Sequence, residues 1–235
     1  MQPMNPNVTR RQALAGLGTV TLGSLLAACD DDGGGGATAT AQPRSTLSAT
    51  AGLFDDTSSC TLTAEQTEGP YYFDVDSIRS DIREDREGTP LRLAIRVRGA
   101  ERCAPLADAV VDIWHCDASG TYSGFGEGEG ERYLRGAQVT NADGIVQFRT
   151  IYPGWYPGRT PHIHVKVHVD RRTVLTTQLY FDEATNGRVY ARAPYRQGRD
   201  QTNASDGIFD ESLVLDLSDA DDGILGKISF DVRAA

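Results

Sequence analysis

Lysine is almost missing from this 235-residue chain: only Lys166 and Lys227 occur, and arginine supplies the rest of the 23 basic residues. Against them stand 33 acidic residues, for a net charge of −10. A surface that acidic argues against a nucleic-acid partner and against adhesion to anionic lipid by charge. The arginine bias reads as genome composition, not mechanism. Long apolar runs are missing too: the stretch from Ala13 to Ala28 is short of the roughly 20 residues of a confident membrane span. No sustained 3.6-residue period marks a long helix, and no internal repeat marks a solenoid.

What the first fifth does hold is an export address. Arg10 and Arg11 precede the Ala13–Ala28 stretch, the pattern of a twin-arginine signal peptide, so residues 1–28 are set aside from the fold. Leu26-Ala27-Ala28-Cys29 resembles the lipobox of bacterial lipoproteins. That resemblance implies lipidation of Cys29, which becomes the mature N-terminus and anchors the protein to a membrane on its extracytoplasmic side, in the periplasm or at the cell surface. Residues 29–56 are small, polar and unpatterned, which predicts a flexible linker. The folded domain is expected over 57–235. With Cys29 assigned to lipid, Cys60, Cys103 and Cys116 remain, an odd number that predicts one disulfide and one buried thiol. A strand separates Cys103 from Cys116 by about 20 Å or more of extended chain, against the roughly 7 Å limit of a bridge. Between the two pairings that involve Cys60 the sequence does not choose.

Strand signals recur through the domain. In Leu91–Gly99, Leu91, Leu93, Ile95 and Val97 alternate with Arg92, Arg96 and Arg98, the period of a half-buried strand. Val110–His115, Ile145–Thr150, His162–Val169 and Val174–Phe181 follow, and Asn141–Gly144 reads as a turn. Near the end, LVLDL and ILGKISFDV flank an acidic turn and read as a hairpin. That turn lacks the spacing and closing glutamate of a calcium loop. A short turn of helix fits Asn186–Gly207. The fold class expected is all-β, a sandwich of mainly antiparallel strands.

The stretch PGWYPGRTPHIH, Pro153 to His164, carries the chemistry. Side chains alternate along a strand, so His162 and His164 share a face and can grip one metal ion, while Ile163, Val165, Val167 and Val169 wall a core. Imidazole suits iron and copper; a phenolate beside it points to ferric iron, which can hold a tyrosine ionised below its free pKa of about 10. His168 shares the face but lies about 13 Å further along, too far for the same ion. His115 reads as structural, and Tyr122 is left open between packing and site.

TEGPYY (Thr67–Tyr72), VDIWHCDASGTYSG (Val111–Gly124), ERYL (Glu131–Leu134), PGWYPGRTPHIH and TTQLYF (Thr176–Phe181) stand in the order found in the intradiol ring-cleavage dioxygenases. The chain resembles that family over roughly residues 60–235, and its secreted single-chain members most. The resemblance implies non-haem Fe(III) held by Tyr133, Tyr156, His162 and His164. It implies an active-site arginine at Arg159 and a substrate-side glutamine at Gln178, with Tyr71 and Tyr72 lining the pocket. Tyr152 competes with Tyr156; Tyr156 is favoured because the family's ligand tyrosine follows Pro-Gly and precedes a proline. The partners implied are a small aromatic diol and O2, with muconate-type diacids as products. A homo-oligomer is compatible with the family. Two other classes compete: a non-catalytic extracytoplasmic binding protein, and a copper or zinc site built on His162 and His164 alone.

Overall fold

The computed structural model describes residues 52–54 and 59–233. The expected signal peptide, Cys29 and most of the expected linker therefore lie outside the described residues. Among the described residues nine strands make two sheets: β1 Pro90–Gly99, β2 Ala104–Pro105, β3 Val110–Trp114, β4 Arg135–Val139, β5 Ile145–Ile151, β6 His162–Val169, β7 Arg172–Tyr180, β8 Asp216–Ala220 and β9 Gly223–Val232. One sheet runs β4-β3-β6-β7, antiparallel throughout. The other runs β2-β1-β9-β8, with β5 also paired to β1, and β1 and β9 lie parallel. The single α-helix among the described residues, α1 Glu183–Tyr190, begins at Asp182, whose carboxylate accepts from the Thr185 amide. It starts three residues before the expected stretch.

The alternation read from sequence holds on the inner faces. Leu91, Leu93, Ile95 and Val97 of β1 share one core cluster with Val111 and Ile113 of β3 and Ile163, Val165 and Val167 of β6. Each large apolar side chain buried there contributes roughly 1.5–3 kcal/mol. The expectation of a half-buried β1 fails on the other face: Arg96 is 8% exposed and Arg98 is 5% exposed. A strand joined to neighbours along both edges lies deep in its sheet, and chain running in from residue 60 covers it. Thr61 donates its amide to Asp231, and Arg98 answers the same carboxylate with paired bonds of 2.7 and 3.0 Å. Phe54 lies beneath the Arg96 guanidinium, 4.8 Å away. The terminal hairpin forms as β8 and β9, but Leu213 belongs to a 3₁₀ turn, Glu211–Leu213.

Cys60 is bonded to Cys103, Cα to Cα 5.7 Å, and Cys116 is a free buried thiol. Closing a loop over a sequence separation of 43 residues restricts the unfolded chain by about 4 kcal/mol on the chain-entropy account. Cys60→Ser is therefore expected to lower the free energy of unfolding by a few kcal/mol in urea melts, with secondary structure unchanged before the transition.

Candidate metal centre

Because the core takes Ile163 and Val165, His162 and His164 face outward from the four-stranded sheet. Loops bury them there, leaving 2% and 1% exposed. Their Nε2 atoms are 3.1 Å apart, and the Tyr156 hydroxyl lies 3.1 Å from His162 Nε2. Donors bound to one ion at about 2.1 Å, at right angles, stand close to 3 Å from each other. The spacing fits a shared metal. The tautomer of His162 is fixed as well: its Nδ1–H donates to the Thr160 carbonyl at 2.7 Å, which leaves the Nε2 lone pair free. Burial holds His162 down to about 3 and His164 well below the usual imidazole range, so both are neutral at working pH.

A second phenol completes the group. The Tyr122 ring stands 6.1 Å from that of His164 and 5.8 Å from that of Tyr156. Its hydroxyl is buried and has no hydrogen-bond partner. Burial raises Tyr122 well above the usual phenol range and Tyr156 to about 12, so neither ionises unless a cation sits against it. An orphaned phenol beside converging imidazole nitrogens is what a ferric centre would explain. Among the described residues no three His, Cys, Asp or Glu side chains gather in one place, so a centre here draws on phenols.

The walls follow from sheet register. Trp114 on β3 stands opposite His164 and stacks on it, centroids 4.9 Å apart and planes 4° from parallel. Gln178 on β7 stands opposite His164 from the other side. The Thr67–Tyr72 strap closes the roof: Gly69, at φ +70°, lies so close that a methyl group there would sit 3.1 Å from His164 Cε1. Tyr71 stacks on Tyr122 at 4.4 Å. Arg159 donates from Nε to Asp206 Oδ2 at 2.9 Å and from Nη2 to Gln178 Oε1 at 2.6 Å. The Asp206 carboxylate also accepts from the Thr160 and Ile208 amides, and these partners hold it below its ordinary range despite burial.

A family model described as Dioxygenase matches residues 67–190, which takes in the tyrosines, both histidines, Arg159 and Gln178. The chain belongs to the intradiol ring-cleavage dioxygenase family. Among solved structures it is similar to an intradiol ring-cleavage dioxygenase from Tetranychus urticae: TM-score 0.71, 35% identity, covering 74% of this chain and 95% of that one. The dioxygenase domain of a carbohydrate-binding fusion protein from Streptomyces sp. SirexAA-E matches at 36% identity and TM-score 0.59, covering 74% of this chain and all of that one. Among curated proteins it is similar to a chlorocatechol 1,2-dioxygenase of Rhodococcus opacus, 31% identical over 43% of this chain and 47% of that protein. A catechol 1,2-dioxygenase of Acinetobacter lwoffii is 32% identical over 49% of this chain and 45% of its own length. The chain spans about half the length of these curated relatives.

Placement of the expected residues is uneven. Tyr156, His162, His164, Arg159, Gln178 and Tyr71 come together. Tyr72 packs on the outer wall: its ring lies 4.7 Å from that of Trp114, while its hydroxyl donates to Asp112 at 3.1 Å, under the Lys166 ammonium. Tyr133 is a correction. Its ring lies against the Arg86 guanidinium, 4.4 Å away, and its hydroxyl against Gly128. The cause is Leu134, at φ +55°, which breaks the alternation ahead of β4 and turns Tyr133 away. Tyr122, and not Tyr133, is the second tyrosine beside His164 and Tyr156. Tyr152 bonds Asn186 at 2.8 Å and packs on Phe181, remote from the histidines. His115 is structural, held by the Cys116 carbonyl and Thr150. Sequence reasoning missed Trp114 and Asp206 altogether.

Proposed function

We propose that the protein is a non-haem Fe(III) intradiol dioxygenase that opens the ring of small catechol-type substrates with O2 to give muconate-type diacids. The observation that carries this reading is the 3.1 Å spacing of the Tyr156, His162 and His164 donor atoms, with the unpartnered Tyr122 hydroxyl beside them. Tyr122, Tyr156, His162 and His164 would hold the ion. The chemistry it supplies when bound is that of a hard Lewis acid, which takes a catechol as its dianion and opens the ring carbons to O2. Both oxygen atoms end in the diacid, so no reductant is needed.

The protein's own groups divide the remaining work. Tyr156 is only half buried, and a phenolate there is placed to accept a proton at Oη from an incoming diol. Tyr122 lies packed beneath Tyr71 and stays where it is. Arg159, oriented by Asp206 and Gln178, sets a fixed positive charge beside the anionic substrate, an oxyanion-type role. Trp114 and Tyr71 exclude water and hold flat rings.

The test is the colour and turnover of the purified protein. Iron-loaded protein should show a visible phenolate-to-iron charge-transfer band and take up one O2 per catechol consumed. A colourless zinc form, a copper EPR signal in the native metal, or colour with no O2 uptake over a panel of catechols would refute it.

Export and anchoring belong to the same proposal, supported by Arg10, Arg11 and the Leu26–Cys29 motif. A twin-arginine route carries folded cargo, which suits an enzyme that takes its metal before export. Cys29→Ser should abolish labelling by radioactive palmitate and free the protein from the membrane fraction; undiminished labelling would end the claim.

A further inference from the structure

Arg135 of β4 stands opposite Trp114 in register, on the same side of the sheet as the histidines, and is 1% exposed. Among the described residues no carboxylate is ion-paired with it; the carboxylate whose charge bears on it is the buried Asp112 of β3, two residues along from Trp114. Its hydrogen bonds all go to one residue: Nε to the Ser123 carbonyl at 3.2 Å and hydroxyl at 2.9 Å, and Nη2 to the same carbonyl at 2.8 Å. Nη1 is buried without a partner. Around it lie ring faces, Phe73 at 4.3 Å, Phe125 at 5.6 Å and Tyr122 at 5.8 Å.

A cation that has given up its hydration for neutral acceptors and aromatic faces, with the buried Asp112 acting on it only from beyond ion-pair distance, is incompletely compensated. Beside it is a phenol whose oxygen is equally unsatisfied. The two deficits are explained together if the phenol is an anion in the working protein. We propose that Arg135 is a positioning residue whose charge is the counter-ion of the Tyr122 phenolate and whose fork on Ser123 fixes the loop that carries it. This rests on the reading of Tyr122 as a ligand to ferric iron. The guanidinium lies 5.8 Å from the centre of the Tyr122 ring and makes no stacking contact with either imidazole, so it would stabilise the electrons of the phenolate more than the acceptor orbital of the metal. The charge-transfer band is thereby held at higher energy.

The experiment is the visible spectrum and the ferric/ferrous potential of the iron-loaded full chain. Arg135→Met should move the band to longer wavelength by roughly 10 nm or more and lower the potential. Arg135→Lys keeps the charge while losing the planar fork, and should leave the band within a few nanometres of the parent. A packing role alone predicts the reverse: both variants lose thermal stability and neither moves the band. If Arg135→Met does not fold, Arg135→Gln, which can still donate to the Ser123 carbonyl, must give the same red shift. A coloured parent with an unmoved band in the Met or Gln variant overturns the role of Arg135 alone. A ferric parent with no charge-transfer band overturns tyrosine ligation, and this inference with it.

Discussion

Tyr122→Phe should change the charge-transfer colour of the iron-loaded protein and cut turnover by roughly a hundredfold or more, the scale of losing one transition-state contact, whereas Tyr133→Phe should leave both nearly intact. The contrast is sharp because the two tyrosines are 11 positions apart in one loop-rich segment. Only Tyr122 has its ring within 6.1 Å of His164 and a hydroxyl with nothing else to bond. Tyr156→Phe should also alter the band. Tyr152→Phe supplies the control: it forfeits the bond to Asn186, worth about 1 kcal/mol of stability, with no spectral effect. Bleaching by Tyr133→Phe with an unchanged Tyr122→Phe spectrum would reverse the assignment made here.

Arg159→Ala should keep iron and colour and lose turnover by about a hundredfold, the effect of deleting one oxyanion-type donor. Arg159→Lys should recover part of the loss, since a point charge does not reproduce two bonds in one plane. Asp206→Asn tests the same group from behind. It removes the charge that grips Nε while leaving the Arg159–Gln178 contact in place, so kcat should fall several-fold with little change in iron content. If the pair were merely a surface ion pair, its loss would cost at most about 1 kcal/mol of stability and no turnover. An alanine variant as fast as the parent would refute the role of Arg159; loss of iron along with activity would make it a structural prop.

How far the site could be read from sequence depended on whether a residue lies on a strand. The two-residue period of β6 sorted His162 and His164 from Ile163 and Val165 without knowledge of anything else in the fold. Tyr156 could be preferred to Tyr152 only by resemblance, because the family's ligand tyrosine follows Pro-Gly and precedes a proline. Tyr122 and Tyr133 sit on irregular backbone, where no period exists and one left-handed residue, Leu134, decides which way a side chain goes. Asp206 reaches Arg159 across 47 residues, a pairing that nothing local announces. The arginines of β1 looked solvent-facing because the strand's own alternation carries no record of the chain that later lies across it.

The alternation on β6 places metal donors and core side chains on one eight-residue segment, His162–Val169. A single-residue insertion there would turn imidazoles into the hydrophobic interior and valines out towards Trp114 and Tyr156. The molecule that resulted would be unfolded, not merely inactive, and would be cleared as misfolded protein. Drift in this strand is thus policed by folding itself, while the loops that carry Tyr122, Arg159 and Asp206 stay free to vary in length. Length changes in those loops leave the His162–His164 pair where it is, because the core side chains of the same strand hold it there.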